Sequence, residues 1–291
     1  MPAFVATLVA APARLTDAAI ARVAQALPSG VETRWLARGE AADLVFEGAP
    51  PEDLRAAAAE ARADLFVQPL GQRDKKLLVA DMDSTLIGQE CIDELAKVAG
   101  IGERVAAITE RAMRGELDFP GALRERVGLL KGLDLAVIDK LLAERIHLNP
   151  GAKTLVASFR ARGGYFAIVS GGFTPFTGAV AGWLGADEHR ANRLEAVAGR
   201  LTGEVAEPIQ GAEAKLSALR ELRARLALPV AATMAVGDGA NDLPMLGEAG
   251  LGVAYRAKPK VAAAAHARVE NGDLTALLFA MGIPRAEFVE A

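Results

Sequence analysis

Four apolar residues, Leu77–Ala80, run without interruption into two carboxylates, Asp81 and Asp83. A short stretch with no polar position on either side fits a strand buried on both faces, as inside a parallel sheet flanked by helices. Such a sheet takes its ligands outside the carboxyl ends of its strands, and Asp81 stands where this strand ends. Strand side chains repeat with period two, so Asp81 and Asp83 are expected on one side and Met82 on the other. Two carboxylates in one small space repel each other unless a cation lies between them or one keeps a proton. The pair therefore points to a hard metal or an acid/base couple. A calcium loop of the EF-hand type opens the same way, but it requires Gly at its sixth position and Glu at its twelfth. This chain has Leu86 and Ile92 there, and a strand rather than a helix precedes the pair, so calcium is excluded.

Two later runs carry the same signature. The run 165–169 leads into Ser170-Gly171-Gly172 and a helix over about 175–184. A glycine pair between a strand and a helix exposes backbone N–H groups and lets a phosphate come close. The run 231–236 leads into Gly237-Asp238-Gly239-Ala240-Asn241-Asp242, and Lys215 lies near the start of a helix reaching about 226. Residues 190–195 and 201–205 read as a hairpin across Ala198-Gly199-Arg200. A short strand near 251–254 and a helix near 274–281 close the chain. Between the first two runs, 90–145 reads as a helical block. In it Asp118 can cap a helix in which Phe119, Leu123, Val127 and Leu130 repeat at helical spacing. Arg126 sits on the edge of that apolar stripe, where a cation either snorkels to water or has a partner. Helices inserted between two strands of a sheet suit a lid.

The segment before this order is different in kind. Strands near 4–9, 31–37, 43–47 and 65–68, with helices near 16–27 and 51–62, give the βαββαβ order of ferredoxin-like domains. By pattern the segment resembles an ACT-type module, whose relatives often bind amino acids at a subunit interface. That resemblance implies a regulatory role or a homodimer formed through this module, and a purely structural role is equally open. Pro69-Leu70-Gly71-Gln72 marks the boundary. At 291 residues and 52% hydrophobic composition the chain can fill two cores. A formal charge of −4 and a pI near 5.6 offer no basic field for nucleic acid. Cys91 is the only cysteine, which excludes an intrachain disulfide and reads as a small buried apolar residue. Residues 1–13 lack a basic leader and are too short to span a bilayer, so a cytoplasmic protein with no membrane partner is expected.

Taken together, Asp81-x-Asp83-x-Thr85, Ser170-Gly171-Gly172, Lys215 and Gly237-Asp238-Gly239-x-Asn241-Asp242 resemble the four ordered motifs of the haloacid dehalogenase superfamily. The resemblance spans about 75–282. Within it, Glu90, Met113, Phe119 and Arg126 fall at spacings similar to the cap of that superfamily's phosphoserine-hydrolysing branch. It implies a Rossmann-like parallel α/β core at 74–88 and 150–291 and a helical cap at 89–149, which stand beside the α+β ferredoxin-like (ACT-like) domain read from pattern at 1–70. It implies Asp81 as nucleophile, Asp83 as general acid/base, and Mg²⁺ held by Asp81, Asp83 and Asp238. Ser170, Gly171, Gly172, Lys215 and Asn241 would hold the phosphate, with Asp242 supporting Lys215 or the metal. Glu90 would take the ammonium and Arg126 the carboxylate of O-phosphoserine, with Met113 and Phe119 beside them. A phosphotransferase acting on another alcohol such as homoserine, and an amino-acid sensor with a vestigial enzyme domain, remain the alternatives.

Overall fold

The computed structural model describes residues 3–290 and builds two sheets that share one apolar cluster. The first part runs β1 (Ala3–Val9), α1 (Asp17–Gln25), β2 (Glu32–Ala37), β3 (Ala41–Glu47), α2 (Leu54–Glu60) and β4 (Asp64–Pro69). Its antiparallel sheet has the order β2-β3-β1-β4, the split pairing expected of βαββαβ. Thr16 starts α1 by accepting a hydrogen bond from the Ala19 N–H. One face of the sheet packs Leu8, Leu44 and Phe46 against Ile20, Val23 and Leu54 of the two helices.

The second part begins with β5 (Leu77–Ala80), all of it buried. Four helices follow: α3 (Cys91–Val98), α4 (Gly102–Met113), α5 (Phe119–Gly128) and α6 (Ala136–Glu144). Then come α7 (Ala152–Ala161), β6 (Tyr165–Phe173), α8 (Thr174–Leu184), β7 (Glu188–Val197), β8 (Arg200–Ala206) and α9 (Ala212–Arg225). The chain ends with β9 (Thr233–Gly237), α10 (Leu243–Glu248), β10 (Leu251–Tyr255), α11 (Pro259–Ala264), β11 (Ala267–Val269) and α12 (Ala276–Ala280). The sheet order is β11-β10-β9-β5-β6-β7-β8, and every pairing is parallel except that of β8. The chain lays strands down on one side of β5 and then crosses to the other with β9. The carboxyl ends of β5, β6 and β9 therefore meet at a switch in strand order, where a crevice forms.

Helices α3 to α6 lie between β5 and α7, and the chain enters and leaves them through a narrow neck. Ile87 and Leu148 bridge antiparallel. Gly88 donates to the His147 carbonyl at 3.2 Å and Asn149 to the Leu86 carbonyl at 2.8 Å. Entry and exit of the insertion are thus clamped side by side.

The boundary at 69–72 is not a loose linker. Leu70–Gln72 form a 3₁₀ turn, and the N-terminal sheet lays its second face on the core. Val9, Leu36, Ala41 and Phe66 share an apolar cluster with Leu277, Phe279 and Ala280. Arg73 is the polar centre of this interface, bonding Asp43 at 2.7 and 3.0 Å and the carbonyls of Phe279 and Ala280 at 2.9 and 3.1 Å. Asp64 accepts from the N–H groups of Glu270, Asn271 and Gly272 at 2.9, 3.0 and 2.8 Å. A truncated chain starting at Arg73 would keep every acid of the crevice but uncover the apolar face of α12. We expect it to melt several degrees below the full chain in thermal denaturation. An unchanged midpoint would show the first seventy residues to be an energetically independent unit.

Candidate active site

The site is built where β5, β6 and β9 end. Asp81 continues the ladder of β5 by donating its N–H to the Val236 carbonyl at 3.0 Å. The strand stops at Ala80, and the chain then turns sharply. Thr85, Leu86 and Ile87 all donate to the Met82 carbonyl, and Ser84 takes a left-handed φ of 56°. The period-two argument consequently does not carry through to Asp83. Its carboxylate turns toward Cys91 and Gly172, and a Cβ on Gly172 would lie 2.8 Å from Asp83 Oδ2. Only glycine leaves room there.

Lys215, on the first turn of α9, is 1% exposed. Its Nζ lies 2.6 Å from Asp81 Oδ2 and 2.7 Å from Asp242 Oδ1. Asp242 is held in turn by the Gly239 N–H, which donates to its Oδ2 at 2.9 Å. A Cβ on Gly237 would come within 2.3 Å of the Asp242 carboxyl, so the turn after β9 is cut to fit that side chain. Asp238 accepts from Thr85 Oγ1 at 3.2 Å, a contact the sequence reading did not assign although Thr85 lies in the first motif.

Oxygens of Asp81, Asp238 and Asp242 lie within 4.8 Å of one another, a spacing at which they could hold one metal ion. The expected set was Asp81, Asp83 and Asp238. The side chain of Asp83 is not in the group, because the turn after Asp81 carries it away, and Asp242 stands in its place. Burial raises Asp81 well above its ordinary range and Asp242 adds repulsion, against the pull of Lys215. Burial, then Asp242 and Glu90, push Asp238 up to about 6. Burial acts against the Lys215 ammonium, but Asp81 and Asp242 outweigh it and hold the group charged. Five acids, Asp81, Asp83, Asp238, Asp242 and Glu90, thus face two cations, Lys215 and Arg126. A divalent cation would relieve that imbalance, so the donor set fits one.

Asp83 has a different task available. It is pushed up to about 7, by burial first and then by Glu90, and its Oδ1 has no hydrogen-bond partner among the described residues. A carboxyl poised there can give a proton and take one back near neutral pH. Cys91 beside it is fully buried, and burial pushes its thiol up, as the apolar reading of that residue requires.

The second run differs from expectation. β6 continues through Ser170-Gly171-Gly172 to Phe173, so the glycine pair lies in a strand and not in a turn. The ladder with β7 pairs Val169 with Arg190 and next Phe173 with Asn192, which leaves the three residues between as a bulge. Ser170 is 1% exposed, and its Oγ accepts from the Gly172 N–H at 2.9 Å. The Gly172 amide is therefore already engaged, while the Ser170 hydroxyl keeps its own proton to donate.

On or beside the helical insertion, Glu90, Phe119 and Arg126 lie toward the crevice and Met113 does not. Glu90 precedes α3 and accepts from Ser84 Oγ at 2.6 Å, with burial raising its carboxyl. Arg126 is half-buried; Nε donates to the Ala122 carbonyl at 3.2 Å, and the guanidinium makes no ion pair among the described residues. Glu90 and Asp93 attract it from farther off. Arg126 therefore does not snorkel away from the acids. The Phe119 ring packs on the core, 3.1 Å from where a Cβ would stand on either Gly171 or Gly211. Asn241 lies in the turn Ala240–Asp242, its Oδ1 folded over Gly239. Met113 is the exception. It ends α4 at 68% exposure, with Lys258 Nζ 3.9 Å from its sulfur.

With this geometry in place, the comparisons with known proteins are specific. The haloacid dehalogenase-like hydrolase family matches residues 78–247, and the chain belongs to that family. It is 46% identical over 257 residues to a phosphoserine phosphatase of Streptomyces coelicolor, covering 86% of this chain and 62% of that one. It is 45% identical over 236 residues to a phosphoserine phosphatase of Mycobacterium tuberculosis, covering 80% and 58%. The chain thus spans about three fifths of the length of these curated relatives. Among solved structures, a probable phosphoserine phosphatase of Vibrio cholerae superposes with a TM-score of 0.80 at 34% identity, over 98% of this chain and 88% of that one. Among the described residues no helix is long and apolar enough to cross a membrane.

Proposed function

We propose that this chain is a Mg²⁺-dependent phosphomonoesterase that converts O-phosphoserine to serine and phosphate through an aspartyl-phosphate on Asp81. The observation that carries the reading is that Arg126 and Glu90, one cation and one anion, lie near each other without an ion pair between them, while Glu90 also acts on Asp83 and Asp238 beside the Asp81–Lys215 contact. An α-amino acid presents a carboxylate and an ammonium to the same two groups. The names of the relatives support that choice of substrate, and the carboxylate cluster supports the metal.

The residues divide the work as follows. Lys215 pulls Asp81 toward its carboxylate form against the burial that raises it, and offers an ammonium to the phosphoryl oxygens, aided by the Ser170 hydroxyl. Asp81 attacks phosphorus in line with the ester oxygen, and the P–O bond to serine breaks. Asp83, protonated at its raised pKa, gives its proton to the departing serine oxygen. The same residue, now a carboxylate, takes a proton from the water that attacks the aspartyl-phosphate, which restores Asp81 and releases phosphate. Mg²⁺ bound by Asp81, Asp238 and Asp242 would supply charge neutralisation at the phosphoryl group. The cap excludes bulk water while Phe119 rests in its glycine-lined seat.

The reading is tested on a panel of small phosphomonoesters with Arg126→Lys beside wild type. A guanidinium makes two parallel hydrogen bonds to a carboxylate, which an ammonium cannot copy. We expect wild type to prefer O-phosphoserine and the variant to lose roughly 100-fold in kcat/KM on it, with little change on p-nitrophenyl phosphate. Equal losses on both esters would make Arg126 structural, and a wild type indifferent to O-phosphoserine would refute the substrate. Phosphate appearing only when an acceptor alcohol is added would favour the transferase.

A further inference from the structure

We infer that Asn192 is a positioning residue that sets the distance between the phosphate-facing bulge of β6 and the start of the Lys215 helix. The inference rests on the phosphatase reading above, and it concerns a residue that does not touch the substrate.

Asn192 lies on β7 and is 1% exposed. Its Nδ2 donates to the Gly171 carbonyl at 2.8 Å and to the Gln210 carbonyl at 3.1 Å, and its Oδ1 accepts from the Gln210 N–H at 2.7 Å. Both amide protons and one acceptor position are in use. A buried side chain with that many good bonds is fixed in orientation, since leaving any of these main-chain groups unpaired in the interior is costly.

The bonds answer a defect in the sheet. Because residues 170–172 bulge out of the β6–β7 ladder, main-chain groups there lose their strand partners. Asn192 replaces one of them by binding the Gly171 carbonyl. With its oxygen and second proton it grips Gln210 through both N–H and C=O, as a neighbouring strand would. Gln210 immediately precedes Gly211, which caps the N-terminus of α9, and the Gly211 carbonyl accepts from the Lys215 N–H at 3.1 Å. One side chain therefore spans two segments that carry different phosphate ligands, Ser170 on one and Lys215 on the other.

The same span makes the seat for the cap. Phe119 lies equally close to the Cβ positions of Gly171 and Gly211, which flank the two carbonyls that Asn192 holds. If these segments moved apart, both the phosphate ligands and the seat of Phe119 would loosen at once. Small displacements of this kind act on the transition state more than on binding, where Glu90 and Arg126 still hold the amino acid.

The test uses the full chain with Mg²⁺. Asn192→Ala is expected to lower kcat by roughly 100-fold per folded molecule, on O-phosphoserine and on p-nitrophenyl phosphate alike. KM for O-phosphoserine should stay within about threefold of wild type. Hydrogen exchange should show the Gln210 amide and the 170–172 segment losing protection together. Should Asn192→Ala not fold, Asn192→Asp keeps the shape and the acceptor for Gln210 while losing the donors, and carries the same expectations. A variant whose lost activity matches only its lost folded fraction, or one that keeps kcat within about twofold of wild type, overturns the positioning role. Protection lost at Gln210 alone, with 170–172 unchanged, also overturns it. If wild type turns over the aryl ester but not O-phosphoserine, the substrate reading fails while the aryl ester still tests Asn192. The exchange measurement needs no turnover at all.

Discussion

Asp81→Asn is expected to lower turnover by roughly 10⁴-fold or more while leaving the chain folded. The exchange removes a charge and one acceptor from a site that keeps its shape, because Asn is nearly isosteric with Asp. Lys215 retains Asp242 at 2.7 Å, so its ammonium is not left without a partner. What disappears is the nucleophile, since a carboxamide oxygen is far less reactive toward phosphorus than a carboxylate. Direct attack by water predicts otherwise, because the amide could still hold and orient substrate and the loss would be modest. Acid quench of wild type during turnover, followed by digestion and mass spectrometry, should find one phosphoryl group on the peptide that contains Asp81, and none in the variant. Unlabelled wild-type enzyme, with solvent ¹⁸O entering phosphate in the first turnover, would sink the covalent route.

How much of this was legible in the sequence depends on which force fixes each part. Leu77–Ala80 could be placed because a strand buried on both faces leaves a chain few other options, and the same holds for 165–169 and for 233–236, while Ala231 and Ala232 of the third run fall in a 3₁₀ turn before the strand. The βαββαβ order emerged from alternation and turn residues, and the sheet order β2-β3-β1-β4 follows from it. The acids at the strand ends were visible because carboxylates after apolar runs are conspicuous. The orientation of Asp83 was not, since it depends on where β5 stops and on a turn with a left-handed Ser84. The glycine pair was misplaced for a related reason. Ser-Gly-Gly is common turn chemistry, and nothing local shows that β6 runs on through it as a bulge, outside the ladder with β7, and pairs again at Phe173.

Short elements were illegible for want of period. The six residues of α11 and the three of β11 are too few to show a repeat, and their places come from packing against β10. Contacts between distant segments leave no local trace. Nothing near Asp64, Arg73 or Asn192 in the chain indicates that each holds main-chain groups more than fifteen residues away, as Asn192 does for Gly171 and Gln210.

Lys215→Met is expected to cost both stability and activity, and the two losses should separate on a second substitution. The ammonium is buried between Asp81 and Asp242, and a methionine of similar length would leave two carboxylates facing each other in the interior. Removing one partner of such a buried arrangement typically costs about 3–5 kcal/mol, more than the lost packing would. Denaturant unfolding without divalent ions should show a loss of that order, and added Mg²⁺ should recover part of it by supplying the missing charge. Activity should fall by roughly 100- to 1000-fold, because the phosphoryl oxygens lose a preorganised cation. Adding Asp242→Asn removes the surplus charge, so the double variant should regain much of the stability. It should not regain turnover, since the Asp242 carboxamide supplies no cation and the variant also gives up one of the three carboxylates placed at the metal. A double variant that recovers both would mean that Lys215 acts only as a counter-ion. If Lys215→Met alone is as stable and nearly as active as wild type, the charge balance derived for the whole site is wrong.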